Sequence, residues 1–310
     1  MKSITILVLA LCLGITAQAQ KPVALKLNLE KGKAYHFLSK SDQTVNQTMQ
    51  GMQQSSTVNN SSYFTIKMME STPDFMVAEI KFDSILTKTT GAQSIEINSN
   101  QPGDVKSSKP GEVMSYFMNR FCSTPIYAKI QYDGKVKEII NLKLLEDNTL
   151  KDIDSLAGPL APALKPRIMS MLDAKAVQTM IESITAYLPD KEIKPGDSWN
   201  VSLNMVANGM GMLLNNTYKL NGVKNNVAEV TGESSVEPAS SDPIEMSGAK
   251  ITNNLRGLSK LTMSIDTKTG LLISSTGKSH IEGTLGVEYP GGNMNMPMQI
   301  DGEFSILPIQ

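Results

Sequence analysis

The chain has 310 residues and carries 29 basic and 30 acidic side chains for a net charge of −1, with two histidines, two cysteines and one tryptophan. It holds no run of Lys or Arg dense enough to follow a phosphate backbone, which argues against a nucleic-acid partner. Two cysteines, one of them at the extreme N-terminal end, leave only Cys122 for the mature protein, excluding an intramolecular disulfide and a zinc cage built on several thiolates.

Met1-Lys2, the apolar run from Ile4 to Ile15 and the small-x-small sequence Ala17-Gln18-Ala19 read as a signal peptide over residues 1–19. The mature protein is therefore expected in the periplasm or outside the cell. The apolar run falls short of the ~20 residues that span a bilayer and no second one follows, so no transmembrane anchor is expected. Leu11 stands before Cys12 where a lipoprotein signal needs a small residue. What remains after cleavage suffices for one large domain or two modest ones, burying ~75% of the unfolded surface.

Along the mature chain, period-2 alternation dominates. Residues 44–62 are Asn, Gln, Ser and Thr with scattered Met and Val, a solvated hairpin or a disordered stretch. Phe64, Ile66 and Met68 share one side of a strand, as do Met76, Ala78, Ile80 and Phe82 of the next, while Glu79, Lys81 and Asp83 face away as a solvated row. Residues 98–112 read as a surface loop. Cys122, beside Phe121, is expected to be buried and inert. Tyr132-Asp133-Gly134-Lys135 is a strong hairpin turn between alternating segments over 127–140.

A short helix is expected from about Leu142 to Leu150, then a linker at Gly158-Pro159-Leu160-Ala161-Pro162. From Ile168 to Leu188 apolar residues recur at three- and four-residue steps, with Ser170 or Asp173 as cap and Pro189 as stop, which predicts one covering helix. Residues 232–249 read as a loop. Leu261, Met263 and Ile265 alternate into a turn at Thr267 to Gly270, and the last strand carries Met294, Met296, Met298, Ile300, Phe304 and Ile306 on one side.

The two ends of the chain resemble each other. Gly32-Lys33-Ala34-Tyr35 matches Gly196-Asp197-Ser198-Trp199, Val77-Ala78-Glu79-Ile80 matches Val227-Ala228-Glu229-Val230, and Asp133-Gly134-Lys135-Val136 parallels Asp266 to Leu271 in the same order. The expected fold is mainly β with minor α: curved antiparallel sheets side by side, or one barrel. It comprises a first half at 20–140, a helical connection at 141–194 and a second half at 195–310.

The segment from Leu188 to Trp199, centred on Pro195-Gly196-Asp197-Ser198-Trp199, together with the matched motifs above and Tyr218-Lys219-Leu220, resembles an uncharacterised family of exported bacterial proteins classed as a domain of unknown function, number six-two-six-three. The resemblance implies a β-rich envelope protein and brings no catalytic residues.

Candidate chemistry is sparse. His36 and His280 could meet across a sheet to serve a hydrolase, yet no Gly-x-Ser-x-Gly elbow is present. The methionines at 294, 296 and 298, with Met49, Met52, Met205, Met210 and Met212, invite copper(I), but their shared parity with Ile300 fits lining of a core or pocket better. No metal and no cofactor is expected, and Asp133 and Asp266 sit where turns need them. Trp199 reads first as an anchor between helix and sheet and second as a ligand-stacking ring. The leading expectation is a non-enzymatic module that binds an apolar or amphipathic ligand such as a lipid through Trp199, Met294, Met296 and Met298. The second is a structural or protein-interaction module with an envelope protein as partner, and a hydrolase is third.

Overall fold

The computed structural model describes residues 21–49, 51–91, 94–207, 210–246 and 248–309. The proposed signal peptide lies outside the described residues.

Fourteen strands among the described residues belong to one antiparallel sheet. In chain order they are β1 (Ala34–Met49), β2 (Met52–Ser71), β3 (Met76–Thr90), β4 (Ile95–Asn98), β5 (Ile126–Ile130), β6 (Val136–Ile139), β7 (Ser198–Ala207), β8 (Met210–Lys224), β9 (Val227–Pro238), β10 (Ile244–Met246), β11 (Ala249–Asn253), β12 (Arg256–Asp266), β13 (Leu272–Tyr289) and β14 (Gly292–Ile309). The helices are α1 (Pro110–Ser123), α2 (Leu142–Thr149), α3 (Ile153–Ala157), α4 (Ala161–Leu172) and α5 (Ala174–Thr185).

The sheet order is β6-β5-β3-β2-β1-β14-β13-β12-β9-β8-β7, with β4 on β3, and β11 joining β10 to β13. The two halves meet where β1 pairs with β14 from His36↔Ile309 to Gln47↔Met298. The order β1-β2-β3-β5-β6 on one side recurs as β7-β8-β9-β12-β13 on the other. The matched Gly32-to-Tyr35 and Gly196-to-Trp199 sequences lead into β1 and β7, the first strand of each series.

The sheet curves but does not close into a barrel. Its edge strands β6 and β7 both pack on α5, and α5 seals the β6 edge with side chains: Glu182 accepts from Val136 N–H at 2.9 Å and Gln178 Nε2 donates to Val136 C=O at 3.3 Å. Those bonds occupy strand groups that would otherwise invite another chain. An extended strap over residues 21–31 completes the closure, in which Val23 and Ile193 exchange backbone bonds, Leu27 N–H reaches Tyr132 C=O and Asn28 N–H reaches Thr269 C=O. Leu25, Leu27 and Leu29 of this strap are buried, on a strict period of two.

Under this closed end the inner face of the sheet and the helices form the main core, including Phe64, Ile80, Phe117, Ile126, Leu145, Ile168 and Ile181. A row of rings, Phe37, Phe64, Phe82 and Phe121, crosses from β1 to α1 with centroid spacings of 5.3, 6.1 and 5.8 Å. Cys122 is buried there, and desolvation pushes its thiol pKa up, away from the reactive thiolate.

Four expectations need correction. The helix expected over 168–188 is two helices, because the Asp173 carboxylate caps a new start, accepting from Lys175 N–H at 2.8 Å and Ala176 N–H at 2.9 Å. The expected linker at 158–162 is a short 3-10 turn running into α4. The loop expected over 98–112 gives way to α1 at Pro110, where proline's missing N–H is harmless at the first helical position. The loop expected over 232–249 is largely strand, since β9 continues to Pro238 and β10 follows. The hairpin expected over 44–62 is present as β1 and β2.

Candidate functional site

Strand pairing assigns every strand residue to one of two faces, because directly paired residues point the same way. Starting from buried Met263 on β12, register carries the inner face to Val230 and Ser275, and from Ser275 to Ile306. It continues through Ser39 on β1 to Ser62 on β2. On the other side it passes through Leu220 on β8, and Trp199 and Tyr218 pair with each other on that face. Not one charged side chain lies on the inner face of β1, β2, β7, β8, β9, β12, β13 or β14 among the described residues. The charges are on the opposite face, where Lys278 pairs with Glu303 at 2.6 Å and Lys260 with Glu233 at 3.6 Å.

Away from the helices the inner face continues. Here Met212, Val236, Leu255 and Leu285 form a second buried cluster, against which half-buried Met205, Met210, Leu214, Ile281, Met296 and Met298 pack. Met294 shares the face and pairs with Val287. Asn253 closes one corner, donating to the Met212 sulfur at 2.9 Å and accepting from Leu255 N–H at 3.0 Å. Between this cluster and the main core lie Asn216 and Ser234, both buried and hydrogen-bonded to each other, with Asn216 also donating to Val201 C=O at 3.0 Å.

The sequence-derived site residues therefore divide. Met296 and Met298 belong to the second cluster and Met294 extends their row. Trp199 sits in the main core at 6% exposure. Its Nε1–H donates to Tyr187 C=O at 3.0 Å and its ring lies 5.5 Å from that of Tyr218. Tyr187 in turn donates its hydroxyl to Gly270 C=O at 2.8 Å. Burial pushes both tyrosines above their ordinary pKa, Tyr218 to about 12.

The histidines do not meet. His280 pairs across the sheet with Asp301, whose row reaches Thr44 on β1, about 26 Å along that strand from His36 at ~3.3 Å per residue. His36 Nδ1 lies 2.8 Å from the Thr65 hydroxyl, which donates to Asp83 at 2.6 Å. With its proton committed to Asp83, Thr65 accepts from the imidazole, so this chain of bonds does not activate a nucleophile. Among the described residues no three His, Cys, Asp or Glu side chains are grouped to hold a metal ion. No helix among them is long and apolar enough to cross a membrane.

His280 lies in an open groove of 1490 Å³ lined mainly by outer-face side chains such as Lys40, Thr217, Lys260 and Lys278. Its hydrogen bond to Asp301 at 2.7 Å, with Glu282 nearby at 3.7 Å, raises its pKa above the ordinary value. The pair contributes stability below the unfolded histidine pKa and loses it as pH rises through the folded one. A proton-NMR titration is expected to place the His280 midpoint above that of an unstructured peptide, and Asp301→Asn to bring it down. An unchanged midpoint in the variant would discount the pair.

The chain belongs to a family of unknown function (DUF6263), whose model matches residues 74–272. No curated protein matches it. Among solved structures it is similar to lipovitellin, described for its lipid–protein interactions, at 11% identity and a TM-score of 0.46, covering 91% of this chain but only 26% of that one. It is also similar to an outer membrane channel from Pseudomonas putida F1 at 7% identity and a TM-score of 0.29, covering 94% of this chain and 100% of that one. A third is OpdQ of Pseudomonas aeruginosa, at 8% identity and a TM-score of 0.20, covering 90% of this chain and 100% of that one. Likenesses this remote assign neither fold nor function.

Proposed function

We propose that this member of the family is an exported, non-enzymatic protein of the bacterial envelope that holds an apolar or amphipathic ligand, such as a lipid, on the methionine-lined part of its inner face. The observation that carries the reading is the second cluster. Met205, Met210, Met296 and Met298 stay half-buried around that cluster, at the end of the inner face away from the main core, where the described strands present no charged side chain. Thioether side chains are flexible and polarizable, which suits a surface that adapts to an acyl chain. Apolar surface left this accessible on a curved sheet is more economically explained by an occupant than by stability alone. Export rests on residues 1–19 of the sequence.

The mature chain, purified from an exporting host and kept native, is expected to carry a released mass in intact mass spectrometry before and after denaturation. Solvent extraction should identify that mass as a lipid or another apolar molecule in near-stoichiometric amount. A protein that is empty and takes up no lipid when challenged would sink the reading in favour of a structural or protein-interaction module.

A further inference from the structure

The inner face beyond the helices is not uniformly apolar, and its asymmetry bears on the chemistry of what it holds. Around the second cluster the half-buried positions of β13, β14 and β8 are Ile281, Met296, Met298, Met210 and Leu214. Along β1 and β2 the same face adds amides and hydroxyls, Ser41, Gln43, Gln47, Gln54, Ser56 and Asn60, interleaved with Val45, Met49, Met52 and Val58. Gln47 Nε2 donates to Gln54 at 3.2 Å, and Asn60 Oδ1 accepts from the Thr87 hydroxyl of β3 at 2.8 Å. From β2 to β13 is three strand spacings, about 14 Å at ~4.8 Å each. One molecule can lie across both regions.

Resting on the reading that this face holds an apolar or amphipathic ligand, we propose that the ligand is a neutral amphiphile. Its uncharged polar head lies against β1 and β2, and its apolar chain lies along the methionines of β14 and the second cluster. Charge complementarity supports this. The outer face of the same strands carries Lys40, Asp42, Lys278 and Glu303, so these strands tolerate charge on the side where it is solvated or paired, as Lys278 is with Glu303. The inner face omits it even at half-buried positions far from the main core. A phosphate, carboxylate or ammonium placed there loses hydration and finds no counter-ion, which is costly. Amides and hydroxyls, by contrast, both donate and accept, which matches a polyol, a sugar or a glycerol ester.

The test uses the full mature chain and three amphiphiles with the same twelve-carbon tail, each below its micelle concentration: dodecyl maltoside, dodecanoate and dodecyltrimethylammonium. Isothermal titration is expected to show the maltoside binding at least ~10-fold more tightly than either charged compound. Equal affinity for all three would overturn the neutral-head proposal while leaving the ligand reading standing, and no binding by any of them would overturn both. Gln43→Lys introduces an ammonium on the β1 part of the face with little change in volume. It is expected to raise dodecanoate affinity several-fold with thermal unfolding little changed. A folded variant with no such gain would overturn the placement of the head on β1 and β2.

Discussion

Trp199→Ala is expected to lower the free energy of unfolding by about 3–5 kcal/mol, the usual cost of truncating a large buried aromatic. The indole is 6% exposed, and removing it takes away the ring packed on Tyr218 and the donor to Tyr187 C=O. That carbonyl belongs to the segment joining α5 to β7, and the Tyr187 hydroxyl holds the β12–β13 turn through Gly270. One side chain thus ties an edge strand, the helical layer and a hairpin. Trp199→Phe keeps most of the apolar area and loses the N–H, so about 1–2 kcal/mol is expected, the net worth of a hydrogen bond with a small packing loss. Urea unfolding with a common m-value measures both. A loss under ~1 kcal/mol for alanine would remove the anchor role. Because the indole lies in the main core and Met296 and Met298 in the other cluster, Trp199→Phe is also expected to leave ligand affinity within about twofold. Loss of binding with the fold intact would restore the stacking role.

The strands most readable in the sequence are those in which apolar residues occupy every inner position. Phe64, Ile66 and Met68, or Met76 to Phe82, could belong to nothing else. Where the inner positions are small or polar the pattern fails. β9 reads as loop beyond residue 231 because Gly232 and Ser234 face inward, and Ser234 is buried in a hydrogen-bonded pair with Asn216 of the adjacent strand β8, which leaves no apolar mark at its own position. α1 was hidden differently: Val113, Phe117 and Phe121 keep helical spacing, but the Ser, Pro and Gly before them suggested a loop that ran on too far. The strap's alternation of Leu25, Leu27 and Leu29 is too short to stand out in the sequence as an element of its own. The β1–β14 seam joins residues at opposite ends of the chain and leaves no local trace. At the candidate site, parity correctly placed the three methionines of β14 on one face with Ile300, while their separation from Trp199 depends on which end of the sheet the helices cover.

The helices cover that end because turns are locked against them, and Gly134→Ala is expected to unlock one. Gly134 has φ +92°, and a Cβ built there would stand 1.8 Å from the Thr185 carbonyl oxygen and 2.4 Å from its carbon. Backbone cannot yield like the end of a flexible side chain, so the β5–β6 turn must leave α5. Leaving breaks the Thr185 hydroxyl's bond to Gly134 C=O at 2.6 Å and loosens the edge that Glu182 and Gln178 seal. Left-handed strain of ~1–2 kcal/mol adds to ~1–3 kcal/mol for overpacking, giving about 2–5 kcal/mol in all. Gly196→Ala separates the two contributions, since Gly196 has φ +96° but nothing within 4 Å of the added carbon. It should lose only the ~1–2 kcal/mol of strain. Similar losses in the two variants would mean that the turn's contact with α5 contributes little, and that the open sheet keeps its edges together by other means.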